Sequence, residues 1–475
     1  MTQFSRPWLA GIACTAALAP LAVHAGSDED LAALRAEIAA LKQEYAARVA
    51  QLEARVEELE TSGAVAPAEG APASVPAVAS APVDVPAAGG TAGRNNAFNP
   101  AMSVILAGTY ANLSQSPEDY HIAGFLPAGD EVGPGERGFS LGESEITLSA
   151  SVDPYFSGSL TAALTGEGEL EVEEAFFRTS ALPAGITVKG GRYFSGIGYL
   201  NEVHAHAWDF VDQPLAYQAF FGGQLGQDGL QVKWLAPTDL FLEFGAEAGN
   251  GDAFPGTRQD SNDFNTVALF GHVGGDVGDS IGWRAGLSWV DADAVERAYD
   301  DVDALGAAVT NAFTGQSRTW IFDATLKWAP GGDSRRNALE LQGEYLQREE
   351  EGRLAYDLDG AALDGSYRSD QDAWYVQAVY RIAPRWRAGV RYDSLDSGDT
   401  RIGLVDDGTL VAADFPLLAP ASPSRVTLMA DWSPSEFSRL RAQYAWDEAR
   451  DDGSTDEQWL LQYIYAIGAH GAHKF

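Results

Sequence analysis

The chain has 475 residues, with 31 basic and 68 acidic side chains, and its formal net charge of −37 argues against nucleic acid and anionic headgroups as partners. Its 45% hydrophobic and 11% aromatic residues exceed what an acidic disordered chain carries. No run of about eighteen apolar residues follows the N-terminus, so no transmembrane helix is expected.

At the N-terminus, Arg6 precedes an apolar run from Trp8 to Val23 that closes on Val23-His24-Ala25. This is the pattern of a secretory signal peptide, residues 1–25, with cleavage after Ala25. The single cysteine, Cys14, would leave with it, so the mature chain would cross an oxidising compartment without disulfides. In residues 26–62, Leu31, Leu34, Ile38, Leu41, Tyr45, Val49, Leu52, Val56 and Leu59 recur at spacings of three and four, with charged residues between them. That spacing predicts a short N-terminal coiled-coil helix. Residues 63–97 carry Pro67, Pro72, Pro76, Pro82 and Pro86 and read as an Ala/Pro-rich linker.

From Phe98 the texture changes to strict alternation. Ile146, Leu148, Ala150 and Val152 share one face, as do Trp320, Phe322, Ala324, Leu326 and Trp328, and again Trp374, Val376, Ala378, Tyr380 and Ile382. Apolar faces with aromatic residues at the strand ends suit a wall that meets lipid. Short turns such as Ala329-Pro-Gly-Gly332 and Ala383-Pro-Arg385 alternate with longer acidic connections near 112–138, 196–220, 250–262, 292–316, 350–370, 397–423 and 449–456. Residues 98–475 are therefore expected to form an all-β domain, a 16-stranded antiparallel transmembrane β-barrel preceded by the coiled-coil helix. The last alternating run ends on Phe475, which resembles the signal that outer-membrane barrels offer to the barrel-assembly machinery.

A more detailed likeness lies in Glu173-Glu-Ala-Phe-Phe-Arg178, Lys189-Gly-Gly-Arg-Tyr-Phe194, Asn201, His204, Trp208 and Asp212-Gln-Pro214. These residues resemble the phosphate-selective porins. With Trp234-Leu-Ala-Pro-Thr-Asp-Leu-Phe-Leu-Glu243 the chain also resembles proteins labelled zinc-regulated TonB-dependent outer-membrane receptors. The resemblance implies a sixteen-stranded channel in the outer membrane of a Gram-negative cell, commonly trimeric, and a link to zinc. Outer-membrane lipid and lipopolysaccharide would be its surroundings, and the N-terminal extension would lie in the periplasm. Five lysines and a large acidic excess argue against phosphate as the solute.

Sorting charges by the alternation places Arg381, Arg387, Arg391, Arg425, Arg439 and Arg441 inward from the later strands. From the earlier strands, Glu145, Glu169, Glu171, Glu173, Glu243 and Glu247 point inward. A basic wall facing an acidic one favours small polar or charged solutes. In Asn201-Glu-Val-His-Ala-His-Ala-Trp-Asp-Phe-Val-Asp-Gln-Pro214, His204 and His206 share a face if the segment is extended, and Asp209, Asp212 or Glu202 could supply the carboxylates of a metal site. Neither HExxH nor a glycine-rich phosphate loop in strand–helix context occurs, so no enzyme is expected. The expected function is a porin-like channel for small hydrophilic solutes or ions, zinc or another divalent cation among them, without a resident cofactor. A TonB-dependent metal receptor and a barrel tethering the cell wall are the alternatives.

Overall fold

The computed structural model describes residues 100–118, 120–128, 132–164, 170–257 and 261–468. Every strand pairs antiparallel with its chain neighbours, and the first closes on the last. The strands are β1 (Ala101–Leu113), β2 (Gly138–Ser140 and Ser144–Ser151), β3 (Phe156–Leu164), β4 (Leu170–Thr179), β5 (Ile186–Phe194), β6 (Gly226–Leu235), β7 (Phe241–Gly249) and β8 (Thr266–Val277). They continue as β9 (Ile281–Val302), β10 (Ala308–Trp328), β11 (Ala338–Tyr356), β12 (Leu363–Ala383), β13 (Trp386–Ile402), β14 (Ser424–Ser435), β15 (Ser438–Asp447) and β16 (Asp456–Gly468). The two segments of β2 both pair with β1, so the seventeen strand segments of the sheet make sixteen wall positions. Closure comes from the β1–β16 ladder, Ser103 opposite Gly468 through Leu113 opposite Gln458. The signal peptide, the coiled coil at 26–62, the linker at 63–97, Glu169 and Phe475 lie outside the described residues.

The alternation sorts the wall into two faces. Leu287, Trp320, Phe322, Val376, Ile382, Val390, Leu428, Trp459 and Leu461 are exposed outward, while Ser288, Thr319, Asp323, Gln377, Arg391, Thr427 and Gln458 are buried inward. Aromatic rings pair across neighbouring strands on the outer face, Trp386 stacked with Trp432 at 6.0 Å and Tyr444 tilted against Trp459 at 4.6 Å between centroids. Such cross-strand pairs add roughly 0.5–1.5 kcal/mol each beyond area burial.

The connections differ from expectation at one end of the barrel. Residues 292–316 and 350–370 are not long loops: β9 and β10 stay paired as far as Val302 and Ala308, and β11 and β12 as far as Tyr356 and Leu363. The inner faces of these extensions bury Ala294, Tyr299, Val309, Phe313, Leu354, Tyr356 and Tyr367 against Leu404, Phe415, Leu417 and Leu418 from the 403–423 connection. Their outer faces carry ion pairs such as Arg353 with Asp364 and Arg368 with Glu349 instead of apolar residues. Charge on the outer face reads as loop in sequence, whereas beyond the lipid a strand needs only its inner face to be apolar.

The lumen is filled by three connections. Residues 195–225 enter most deeply, with helix α1 (Leu215–Phe221) buried along its whole length. The 114–137 connection adds Tyr120, Ile122 and Phe125 to the same apolar cluster, which continues onto the wall through Ala268, Phe270, Val290, Ile321, Leu346 and Tyr375. The rings of Phe125 and Phe220 lie 6.0 Å apart. Phe270 reaches over Gly245 and Gly196, and a Cβ at either glycine would strike its ring.

Leu428 lies outward in mid-strand, opposite Val390 and Tyr444. Leu428→Arg is expected to destabilise the barrel by about 2–4 kcal/mol in lipid, and Thr427→Arg to act through the lumen instead. Denaturant unfolding in vesicles measures the difference; equal effects of the two would contradict the facing assigned here.

Candidate functional site in the lumen

The 195–225 connection is held at its root by its own donors, from backbone and side chain. Ser195 Oγ and Gly196 N donate to Glu247, the latter at 2.8 Å. Asn201 ties the two ends together: its Nδ2 donates to Ser195 O and Leu225 O, and its Oδ1 accepts from Leu225 N at 2.7 Å. Glu344 on β11 accepts from Tyr199 N, Leu200 N, the Tyr217 hydroxyl and the Tyr375 hydroxyl at 3.3, 3.1, 2.9 and 2.7 Å. Gly198 precedes these amides with φ +59°, and a Cβ there would collide with Glu344 and the Tyr217 hydroxyl.

The connection then crosses to the basic wall. Asp209 pairs with Arg387 at 2.7 Å, and Asp212 with Arg391 and Arg425 at 3.1 and 2.9 Å. Burial alone would raise both aspartate pKa values, but the guanidinium groups hold them below the usual carboxylate range. Arg439 and Arg441 donate to Trp208 O. Arg391 stacks on Phe210 at 4.8 Å, and Arg348 on Phe220 at 4.5 Å while donating to Ala219 O. Arg381 stands opposite Arg387 in the β12–β13 register. Arg387, Arg391, Arg425, Arg439 and Arg441 thus point inward and dock the connection. Asp393 and Asp431, which neutralise Arg391 and Arg387 from the wall itself, are partners that the alternation did not single out.

The proposed metal set separates into two. His204 and His206 come together, their rings stacked at 5.9 Å, although a 3₁₀ turn at Ala205–Ala207 and not an extended segment brings them there. Asp209 and Asp212 do not join them, because the arginine wall takes both carboxylates. The acids at the histidines come from the opposite wall. His206 Nδ1 lies 2.7 Å from Glu145, while His204 Nδ1 lies 3.5 Å from Glu145 and 3.3 Å from Glu173. His204 Nε2 lies 3.1 Å from Glu174. Burial of the His204 ring disfavours its charged form, yet Glu173, Glu174 and Glu145 hold its pKa well above the usual imidazole value.

Adjacent Glu173 and Glu174 would alternate in a regular strand, and a β-bulge turns both toward the histidines. Thr161 pairs with Glu174 and the next residue, Ala162, with Val172, leaving Glu173 as the extra residue. Glu174 was missed for this reason: alternation carries no mark of a bulge. Glu243 and Glu247 point inward but serve the wall and the root of the connection, Glu243 beside His272 at 3.3 Å and Lys233 at 3.9 Å.

A water-accessible cavity of about 600 Å³ lies between the connection and strands β1, β2, β4, β5 and β6. Among the described residues its lining includes the carboxylates of Glu136, Glu143, Glu171, Glu173, Asp212, Asp228 and Asp252 and one guanidinium, Arg192. Arg192 is already paired with Asp228 at 2.7 Å. The expected transverse field is therefore uneven: the basic side is neutralised by protein, and the open side is acidic.

No family model matches the chain. An uncharacterized protein of Aquifex aeolicus is 32% identical over 356 residues, which are 72% of this chain and 71% of that protein. Among solved structures, a loop L8 deletion mutant of OmpT, an outer membrane protein of Vibrio cholerae, matches 78% of this chain and 99% of its own with 13% identity and a TM-score of 0.50. An anion-selective porin from Comamonas acidovorans covers the same share of this chain and 99% of its own at 10% identity and a TM-score of 0.45. The likeness to the first is one of fold alone. The TonB-dependent-receptor resemblance is not supported: the barrel closes with sixteen strands, and the 114–137, 195–225 and 403–423 connections pack its lumen.

Asp209→Ala with Asp212→Ala should release the connection from the arginine wall, since its ion pairs to Arg387, Arg391 and Arg425 are lost while Asp431 and Asp393 still neutralise the wall. Amide hydrogen exchange at Val211–Phe221 is expected to quicken while β12 and β13 stay protected. Unchanged protection would show that apolar contacts alone hold the helix.

Proposed function

This chain belongs to the same family as the uncharacterized Aquifex aeolicus protein, and we propose that it is an outer-membrane channel for diffusion of small hydrophilic solutes and ions, with cations preferred. The acidic cavity beside the inward-folded connection carries this reading, since solute passing there meets seven carboxylates and one paired guanidinium. Divalent cations, zinc among them, belong to the solutes this reading includes. The long-connection end would face outward into the lipopolysaccharide layer, and the short turns and the N-terminal extension would face the periplasm. The reading includes a homotrimer, supported by the apolar seam from Leu31 to Leu59 in the sequence, and insertion by the barrel-assembly machinery through Phe475. It describes a channel and not an enzyme.

Reversal potentials across a planar bilayer in a salt gradient test the proposal. The native protein is expected to select cations, and Glu136→Gln with Glu171→Gln to weaken that selectivity without closing the channel. Strong anion selectivity, or no conductance at all, would overturn it. Cross-linking in detergent should give trimers that weaken on deletion of residues 27–62.

A further inference from the structure

His204 stands between three carboxylates from two strands of the wall. Its Nε2 faces Glu174 at 3.1 Å, and its Nδ1 faces Glu173 at 3.3 Å and Glu145 at 3.5 Å. Among the described residues the ion pairs of Glu145, Glu173 and Glu174 run to histidine alone. Neither His204 Nδ1 nor Glu173 Oε2 has a hydrogen bond, although both atoms are buried and the Glu173 side chain is only 10% exposed.

The tautomer makes this arrangement a chemical demand. When Nε2–H donates to Glu174, the Nδ1 lone pair points at two carboxylates, and three electron-rich groups converge on one place. Such a geometry is stable only with a positive species between them, a proton on Nδ1 or a metal ion. One oxygen each from Glu145 and Glu173 and one ring nitrogen of His204 lie within 4.8 Å of one another, close enough to ligate a single ion. Two further contacts set the ligands: Glu174 fixes the imidazole ring, as outer-shell carboxylates do for metal-bound histidines, and His206 holds the second oxygen of Glu145 at 2.7 Å. Glu173 also lines the cavity, which leaves the group open to water on one side.

We propose that Glu145, Glu173 and His204 form a binding site for one divalent cation of the zinc type, beside the acidic cavity of the lumen. The inference rests on the channel reading for its purpose and on the geometry alone for its chemistry. One imidazole with two carboxylates suits zinc better than calcium or magnesium, which take oxygen ligands in larger number. An open fourth position lets an ion exchange with the cavity, so the site detains ions and does not store them.

Calorimetric titration of the folded full chain in detergent with zinc chloride is expected to give one equivalent of binding. Glu173→Gln with His204→Gln should weaken it by at least about tenfold, with β-sheet circular dichroism unchanged. Calcium or magnesium chloride should give no comparable heat, and calcium binding as tight as zinc would overturn the imidazole's place in the site. No zinc heat in the native protein, or the same heat in the double variant, would overturn the site itself. In planar bilayers, zinc should lower the conductance of the native channel and leave that of the double variant untouched. A conducting protein without zinc binding defeats this inference and spares the channel; zinc binding without conductance does the reverse.

Discussion

In hydrocarbon an unpaired amide costs several kcal/mol, and this chain meets that constraint by pairing β1 with β16 and leaving no sheet edge. Everything else in the molecule follows from the width of the ring so closed. Sixteen strands enclose more space than inward side chains can fill, so the chain sends its own connections into the lumen. The space is then packed much as a soluble core is, with Phe125, Phe210, Phe220 and Tyr217 almost wholly buried.

Packing a lumen differs from packing a core because the wall is polar. Each backbone donor of the 195–225 connection needs an acceptor there, and Glu344 and Glu247 supply acceptors to its first turns. The buried guanidinium groups of Arg348, Arg391 and Arg425 need acceptors in turn, and find them in Gln371, Asp212, Asp393 and carbonyl oxygens. Wall and connection satisfy one another, so neither half of this network could be replaced alone without stranding a buried charge.

The barrel was legible because period-two alternation survives through most of the wall, and the aromatic residues mark its outer face. The inward direction of Arg387, Arg391, Arg425, Arg439 and Arg441 was legible for the same reason. Where the reading failed, it failed at breaks in the period or at partners distant in sequence. The bulge at Glu173 turned one extra acid inward, and the charged outer faces of β9 to β12 hid strands that continue to Val302 and Tyr356. Asp209 and Asp212 lie close to the histidines in sequence, but nothing local tells a carboxylate which of two opposing walls will claim it. That choice is made across the barrel, between residues more than 150 positions apart.

The same choice determines where the cavity lies. Asp209 and Asp212 draw the connection against the arginine wall, and Phe210 and Phe220 then close that side by stacking on guanidinium groups. On the opposite wall, Glu171, Glu173 and Glu174 offer no cation to attract an acidic segment, and desolvating several carboxylates together would cost more than any contact could return. The open cavity therefore lies on the acidic side. His204 and His206 bridge to its carboxylates, as groups able to meet them either as proton donors or as ligands to a shared ion, and Glu202 reaches Lys189 and Lys233 on β5 and β6. An acidic cavity in a chain of net charge −37 is thus no reflection of composition alone. It is the side of the lumen that the arginines did not fill.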